Sequence, residues 1–538
     1  MSTPTWPQRP ERPGTEVLHR VLDAARQAVE PYRAAGADLE LDLSVDPVTG
    51  APVLAGTVPD WDGAVRAGHA AAGRWRALRM APGDAPAVDV VVDVRPAHDE
   101  AAGPDTASTP ANTANTLNAA NTANTANTAD TAGSWGAPPG AGGARLPAPV
   151  PSPPHSADAV VVGAGVCGLA TARELVRRGL HVAVVDAADR IAGGASAWNN
   201  GMVHPGHDSL PGTRKAALNV AGNAQWGALA AELGLPFART GSLVVAFDDD
   251  LARLDAIAAR ARRNAVPGAE VVGGDRARAI EPRLSTEVRA ALWTPSTAMV
   301  DPAAACLAMA DDIRFHGGTV VLGAAVERLL VADGRVAGVR CAGRDLCAPL
   351  VVNAAGVHAD LLAATSGARR YSIHPRRGTL VLFDPGVADR HDMSVGPVPG
   401  TYSKGGGMTA RPDGLTTGGP TAVEQRSRSA QPPAPDEIEA ITALGRRLFP
   451  AFPVESAVHA GSAVRAATFG EDFVVGAAPG VPGLVDVAGT QSPGVASAPA
   501  IAAAVVAELA ALGRLSERPI PFVPRARRAA APRTVEEP

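Results

Sequence analysis

Aromatic residues are scarce: Phe, Tyr and Trp make up 4% of 538 residues. The core must therefore be filled mainly by Ala, Val and Leu, and a hydrophobic content of 46% is enough for a large one. Cysteine is scarcer still. Four residues, Cys167, Cys306, Cys341 and Cys347, exclude a disulfide scaffold in a chain this long. None forms a Cys-x-x-Cys pair, which argues against a zinc ribbon or a usual iron–sulfur run. Basic charge is not in excess, with 49 Lys and Arg against 54 Asp and Glu and a net charge of −5. That balance argues against a nucleic-acid partner held on a basic face. Long apolar runs are missing. The longest, Ala498–Leu512, contains Pro499 and Glu508 and falls short of the roughly 20 residues of a membrane span, so a buried helix is expected. Met1–Gly14 is polar and Pro-rich without an apolar signal segment, and the expected location is cytoplasmic.

Composition divides the chain into four stretches. Residues 1–95 read as α-β-β-α-β: a helix over Thr15–Glu30, strands over Leu39–Val45 and Pro52–Val58, a helix over Trp61–Leu78 and a strand over Val88–Val94. A small α/β module is expected. Residues 96–157 contain the tract Ala111–Asp130 followed by Gly- and Pro-rich sequence, with no apolar periodicity to offset the entropy of ordering. A disordered low-complexity linker is expected there. Residues 158–524 carry the chemistry, and 525–538, with Arg525, Arg527 and Arg528, read as a polar tail.

At the head of the third stretch, Ala159–Val162 is a short apolar run, followed directly by Gly163-Ala164-Gly165-Val166-Cys167-Gly168. A helix is expected over Leu169–Arg178 and a second strand over His181–Val185, ending in Asp186. This is the βαβ dinucleotide fingerprint. Gly163 allows the tight turn, Gly165 lets a pyrophosphate approach the backbone, and Gly168 lets the helix pack against the sheet. Free N–H groups at the helix N-terminus meet the phosphates. Asp186 is placed to accept from ribose hydroxyls, which disfavours a 2′-phosphate. Cys167 is read as a packing residue.

The next segment chooses between nucleotides. Asp189–Gly206 contains Gly193-Gly194-Ala195-Ser196 and Asn199-Asn200-Gly201-Met202-Val203-His204. It resembles the flavin-contacting stretch of the FAD-dependent D-amino-acid-oxidase-like superfamily, closest to the branch of glycerol-3-phosphate dehydrogenases and L-2-hydroxyglutarate oxidases. Further matches follow in order: Thr240–Phe247, Val300-Asp301-Pro302, Val351–Gly356 with Ala355 and Gly356, His374–Gly378, Gly461–Arg465, Asp472–Gly476 and the loop Gly489-Thr490-Gln491-Ser492-Pro493-Gly494. The resemblance implies bound FAD in an α/β fold: a Rossmann-like FAD-binding domain (about 158–225, 300–367 and 466–515) with an inserted, mainly antiparallel substrate domain (about 226–299 and 368–465). The strand Leu484–Ala488, broken by Gly489, leads to a helix expected from about Ser497, whose N-terminus could stabilise charge on a reduced flavin. Within residues 1–95, Gly50–Val58 with the following helix and strand resembles the BON domain. That likeness implies a peripheral membrane or protein contact.

The resemblance implies oxidation of a small anionic hydroxy compound, of 2-hydroxy acid or glycerol 3-phosphate type, by hydride transfer to the flavin. An amino-acid or amine oxidase, or a non-catalytic FAD-binding protein, remains open. His204 is the candidate base. Arg465 is the candidate anion anchor, because a guanidinium grips carboxylate or phosphate bidentately. Arg376 and Arg377 are secondary candidates, and Arg377 stands where relatives often have Lys. Lys404 and Arg411 read as surface charges. Many members of the branch continue into a cysteine-rich segment that this sequence does not contain, so oxygen, a quinone or a protein is expected to take the electrons.

Overall fold

The computed structural model describes residues 13–34, 40–46, 51–58, 60–79, 89–96, 153–386, 390–399, 405–515 and 521–529. The expected linker 96–157 therefore lies almost wholly outside the described residues, as does Lys404. At its end, Ser156 forms a bridge to Cys347 and Ala157 N donates to Cys347 O.

A six-stranded sheet forms the base of the molecule. Its order is Thr319–Val321, Val182–Val185, Ala159–Val162, Val351–Asn353, Leu484–Ala488, Val474–Ala477, parallel except for the last strand. Every residue of Ala159–Val162 and Val182–Val185 is buried. Such unbroken apolar strands suit a parallel sheet covered on both faces. One face is packed by the helices Val166–Arg177, Pro302–Phe315 and Gly494–Ala511, whose Leu169, Leu175, Met309, Ile313, Ile501 and Val505 share one core with the sheet. The other face is covered by the antiparallel strands Val326–Ala332, Arg335–Cys341 and Arg344–Cys347. Helix Gly494–Ala511 is long and apolar enough to cross a membrane. Here it lies against helices Val166–Arg177 and Arg214–Leu233, and Trp226 Nε1 donates to Val495 O at 2.8 Å. Helix Pro302–Phe315 starts as Asp301-Pro302 predicts: Asp301 Oδ1 accepts from the N–H groups of Ala303 and Ala304.

A second, nine-stranded and mainly antiparallel sheet is built from segments within 242–294 and 373–468. Its spine is the long pair Ile373–Phe383 and Ala457–Thr468, antiparallel with Arg376 opposite Arg465 and Gly378 opposite Ala463.

The N-terminal unit has helix Thr15–Ala34, strands Glu40–Val45 and Pro52–Val58, helix Trp61–Arg79 and strand Val91–Pro96. Its middle strand pairs antiparallel with the first and parallel with the last. This unit docks on the rest of the chain. Phe469 from the far side is part of its core with Ala64, Ala72 and Trp75. A Cβ on Gly68 would meet the Phe469 ring at 2.4 Å. Asp89 N donates to Arg370 O, Asp89 Oδ2 accepts from Gly470 N, and Arg369 pairs with Asp93 at 2.9 Å. The segments it grips, 369–372 and 469–472, flank the spine pair of the large sheet.

Candidate active site

Between the two sheets lies a cavity of about 840 Å³ that runs from the glycine turn after the first strand to the strand carrying Arg465. Each fingerprint glycine answers a specific approach. A Cβ on Gly163 (φ +112°) would stand 2.3 Å from Ala354 O, and one on Gly168 would stand 2.1 Å from Gly163 O. Among the described residues, chain neighbours aside, a Cβ on Gly165 would meet Ser196 Oγ alone within 4 Å, at 3.1 Å, and one on Gly194 would meet no atom. These two glycines therefore face open cavity, the space a pyrophosphate needs against the backbone. Ser196 Oγ accepts from Val166 N at 3.0 Å and so occupies one of the free donors of the first helix turn. Ala195 continues the same cavity wall.

Asp186 closes the second strand and lines the cavity. Its carboxylate accepts from Ala164 N at 2.6 Å and Ala188 N at 2.8 Å. Burial raises its pKa, against the pull of those two N–H groups. Cys167 is buried, its thiol pushed up by burial to about 12, as a packing residue should be.

Further along, Asn200 Oδ1 accepts from Met202 N and its Nδ2 donates to Thr409 Oγ1. Gly201 (φ +71°) is required because a Cβ would meet Val300 O at 2.4 Å. His204 is half-buried and faces the cavity. Ala355 and Gly356 line it as well. Gly489 (φ +67°) turns the chain out of the strand, and Gln491, Ser492, Pro493 and Gly494 form the wall ahead of the last helix. That helix begins at Gly494, three residues earlier than expected. Its N-terminus is therefore at the cavity surface.

Arg465 also reaches the cavity. Its Nη2 donates to Thr421 O and Arg377 O. Among the described residues it makes no ion pair with a carboxylate. Burial and the neighbouring Arg376 lower its pKa to about 10, which leaves it charged near neutral pH. Arg376 instead lies behind the wall, bonded to Glu424, to Glu471 at 2.7 Å and to Gln491 Oε1 at 3.1 Å. Burial alone would raise the Glu471 carboxyl, but Lys215 and Arg376 hold it at about 2. Gln491 Nε2 also donates to Glu471, so this network fixes the loop 489–494 from behind.

Arg377 and Arg411 were also singled out from sequence. Arg376, although opposite Arg465 on the paired strand, does not line the cavity, and neither does Arg377. Arg377 pairs with buried Glu437 at 2.9 Å. Arg411 is not a surface charge: it is 6% exposed and is held by Asp413 two residues on. The tail is also less free than its composition implies, since Arg525–Ala529 is a short helix and Arg525 donates to Leu233 O.

Four cavity residues were not singled out from sequence. Trp198 and His459 meet edge to face at 5.4 Å, and Gly461 makes room for that indole. Arg428 reaches the wall while paired with Asp360 at 2.7 Å, and His358 beside it is kept neutral, at about 4, by burial and by Arg428. His459 was legible in principle: counting back by twos from Arg465 along one strand face reaches it.

Residues 158–509 match the family model described as FAD dependent oxidoreductase. The chain belongs to that family. This FAD-dependent oxidoreductase is 30% identical over 382 residues to the glycerol 3-phosphate dehydrogenase of Caloramator mitchellensis, covering 70% of this chain and 78% of that one. It is also 30% identical over 396 residues to the mitochondrial L-2-hydroxyglutarate dehydrogenase of Arabidopsis thaliana, covering 64% and 82%. Among solved structures, the FAD-bound L-α-glycerophosphate oxidase of Mycoplasma pneumoniae superposes with a TM-score of 0.63 at 25% identity, covering 68% of this chain and 97% of that one. Glycine oxidase from Geobacillus kaustophilus shares the fold, with a TM-score of 0.61 at 22% identity. The glycine cradle, the Asp186 carboxylate at the end of the second strand and the helix N-terminus fit FAD, the cofactor of the family.

Proposed function

We propose that this FAD-dependent oxidoreductase oxidises a small anionic hydroxy compound, of the glycerol 3-phosphate or 2-hydroxy acid type, to the corresponding carbonyl. The observation that carries this reading is the state of the arginines. Arg376, Arg377 and Arg428 are all committed to carboxylates of the protein, whereas Arg465 holds only carbonyl oxygens and faces the cavity. A charged guanidinium kept free of protein carboxylates is ready to receive an anionic substrate. The names of the relatives, glycerol 3-phosphate dehydrogenase and L-2-hydroxyglutarate dehydrogenase, support the same class.

Arg465 binds the carboxylate or phosphate and orients the hydroxyl-bearing carbon. His204 accepts the hydroxyl proton as the carbon–hydrogen bond breaks. The loop 489–494 and the helix behind it present N–H groups to charge developing at that end of the cavity. When bound, FAD supplies the two-electron acceptor for the hydride. Trp198 and His459 cover part of the cavity wall and restrict water there.

Anaerobic addition of glycerol 3-phosphate, L-2-hydroxyglutarate, lactate, glycine and proline to the purified holoenzyme tests the proposal. Loss of flavin absorbance with one of the hydroxy compounds and not with the amino acids is expected. Bleaching by the amino acids alone, or by none of the five, would overturn it.

A further inference from the structure

Where the N-terminal unit meets the catalytic part, three potential metal ligands converge. His69 comes from the helix Trp61–Arg79, His374 from the strand Ile373–Phe383, and Glu471 from the turn after the strand Ala457–Thr468. Their ligand atoms all lie within 4.8 Å of one another. The imidazole rings meet edge to face at 4.9 Å.

The hydrogen bonds at the outer nitrogens fix the tautomers. His69 Nδ1 lies 2.8 Å from Phe469 O, and a carbonyl can only accept, so Nδ1 carries the proton. His374 Nδ1 lies 2.7 Å from the Glu424 carboxylate, which the neighbouring His374 and Arg376 keep ionised despite burial. In the neutral form of each ring the lone pair is then on Nε2, and His69 Nε2 is 4.0 Å from Glu471 Oε1. His374 is fully buried, and its Nε2 has no hydrogen-bond partner among the described residues. An imidazole whose outer N–H is held by a carbonyl or a carboxylate is the usual form of a metal-bound histidine. Burial and His374 lower His69 to about 4, so that ring is neutral at physiological pH, as ligation requires.

We propose that His69, His374 and Glu471 form a binding site for a divalent first-row transition ion, with Zn²⁺ best suited, which joins the N-terminal unit to the catalytic part. Two imidazoles and one carboxylate suit zinc, with a water completing four-coordination. Bonds of about 2.1 Å require the three side chains to close by roughly an ångström. The cations at Glu471 oppose tight binding: Arg376 at 2.7 Å and Lys215 at 3.8 Å share its carboxylate. The ion is therefore exchangeable, and a chelator removes it. The site lies outside the cavity lining and needs no assumption about the substrate.

The full chain, stripped with a chelator and dialysed against Zn²⁺, is analysed for bound metal, and its zinc-edge X-ray absorption is recorded. One zinc per chain is expected, with two imidazole shells, oxygen ligands and no sulfur. Sulfur ligation, which would point to Cys347, or a content below a tenth of an ion per chain would overturn the proposal. His69→Ala, checked for wild-type circular dichroism and flavin content, should lower zinc content at least tenfold, and unchanged content would overturn the site. The absorption spectrum of the wild type decides the question if that variant does not fold.

Discussion

At Arg465 the account rests on a cavity-facing guanidinium that makes no ion pair with a protein carboxylate among the described residues. Arg465→Ala should lower kcat/KM for the anionic substrate by about 10²–10³-fold, with Arg465→Lys losing less but still clearly impaired, because Lys keeps the charge and loses the planar fork. His204→Asn should lower kcat by about 10²-fold or more while leaving FAD content unchanged, as loss of a positioned proton acceptor does. Arg377→Ala separates the two neighbouring arginines: kcat/KM should fall less than about threefold, while the urea midpoint drops, because buried Glu437 loses its partner. A hundredfold loss of kcat/KM in that variant would place Arg377 at the substrate. Sequence could not decide between Arg376 and Arg377, since the face each occupies is set by pairing with a strand some ninety residues downstream. Arg411 was misread for a related reason: charge in a Gly-rich stretch reads as surface until the fold buries it beside Asp413.

The elements that were legible are those whose contacts are local. The βαβ unit around Gly163–Gly168 can be read because its strand, turn, helix and terminal acid lie within some thirty residues, and each glycine has a stated steric reason. Gly168→Ala puts a methyl 2.1 Å from a backbone oxygen, so the helix must move off the sheet. Purified Gly168→Ala should contain less than about a tenth of the wild-type FAD by absorbance, and full occupancy would contradict the cradle. Just ahead of the strand Ser394–Pro397, His391 is buried against Phe449 at 4.7 Å, with Asp392 and Arg283 as the charged groups nearby. Burial lowers it to about 4 from an ordinary 6.5, so its contribution is complete above about pH 6.5 and is lost as pH falls towards 4. The loss is of order 3 kcal/mol. Urea midpoints should fall across that window in the wild type and fall less in His391→Phe, which keeps a ring on Phe449.

On the scale of the whole molecule, the N-terminal unit and the catalytic part are one packed body through Phe469, Asp89, Arg369 and His69. None of this was visible in sequence, since His69 and Phe469 stand 400 residues apart and a low-complexity tract lies between them. The turn gripped by the unit carries Glu471, which holds Gln491 and Arg376 behind the cavity wall. Removing residues 1–96 should lower the melting temperature and speed FAD release by at least several-fold, and unchanged values would show the unit to be an independent appendage.

The most direct measurement compares substrates that differ only in charge. Anaerobic flavin reduction is followed with glycerol 3-phosphate against glycerol, and with L-2-hydroxyglutarate against its dimethyl ester, in the wild type and in Arg465→Ala. The account predicts that in at least one pair the anion reduces the wild-type flavin about a hundredfold faster or more, and that the ratio collapses to within a few-fold in the variant. Equal rates within both pairs in the wild type, or a preference that survives loss of the guanidinium, would contradict it.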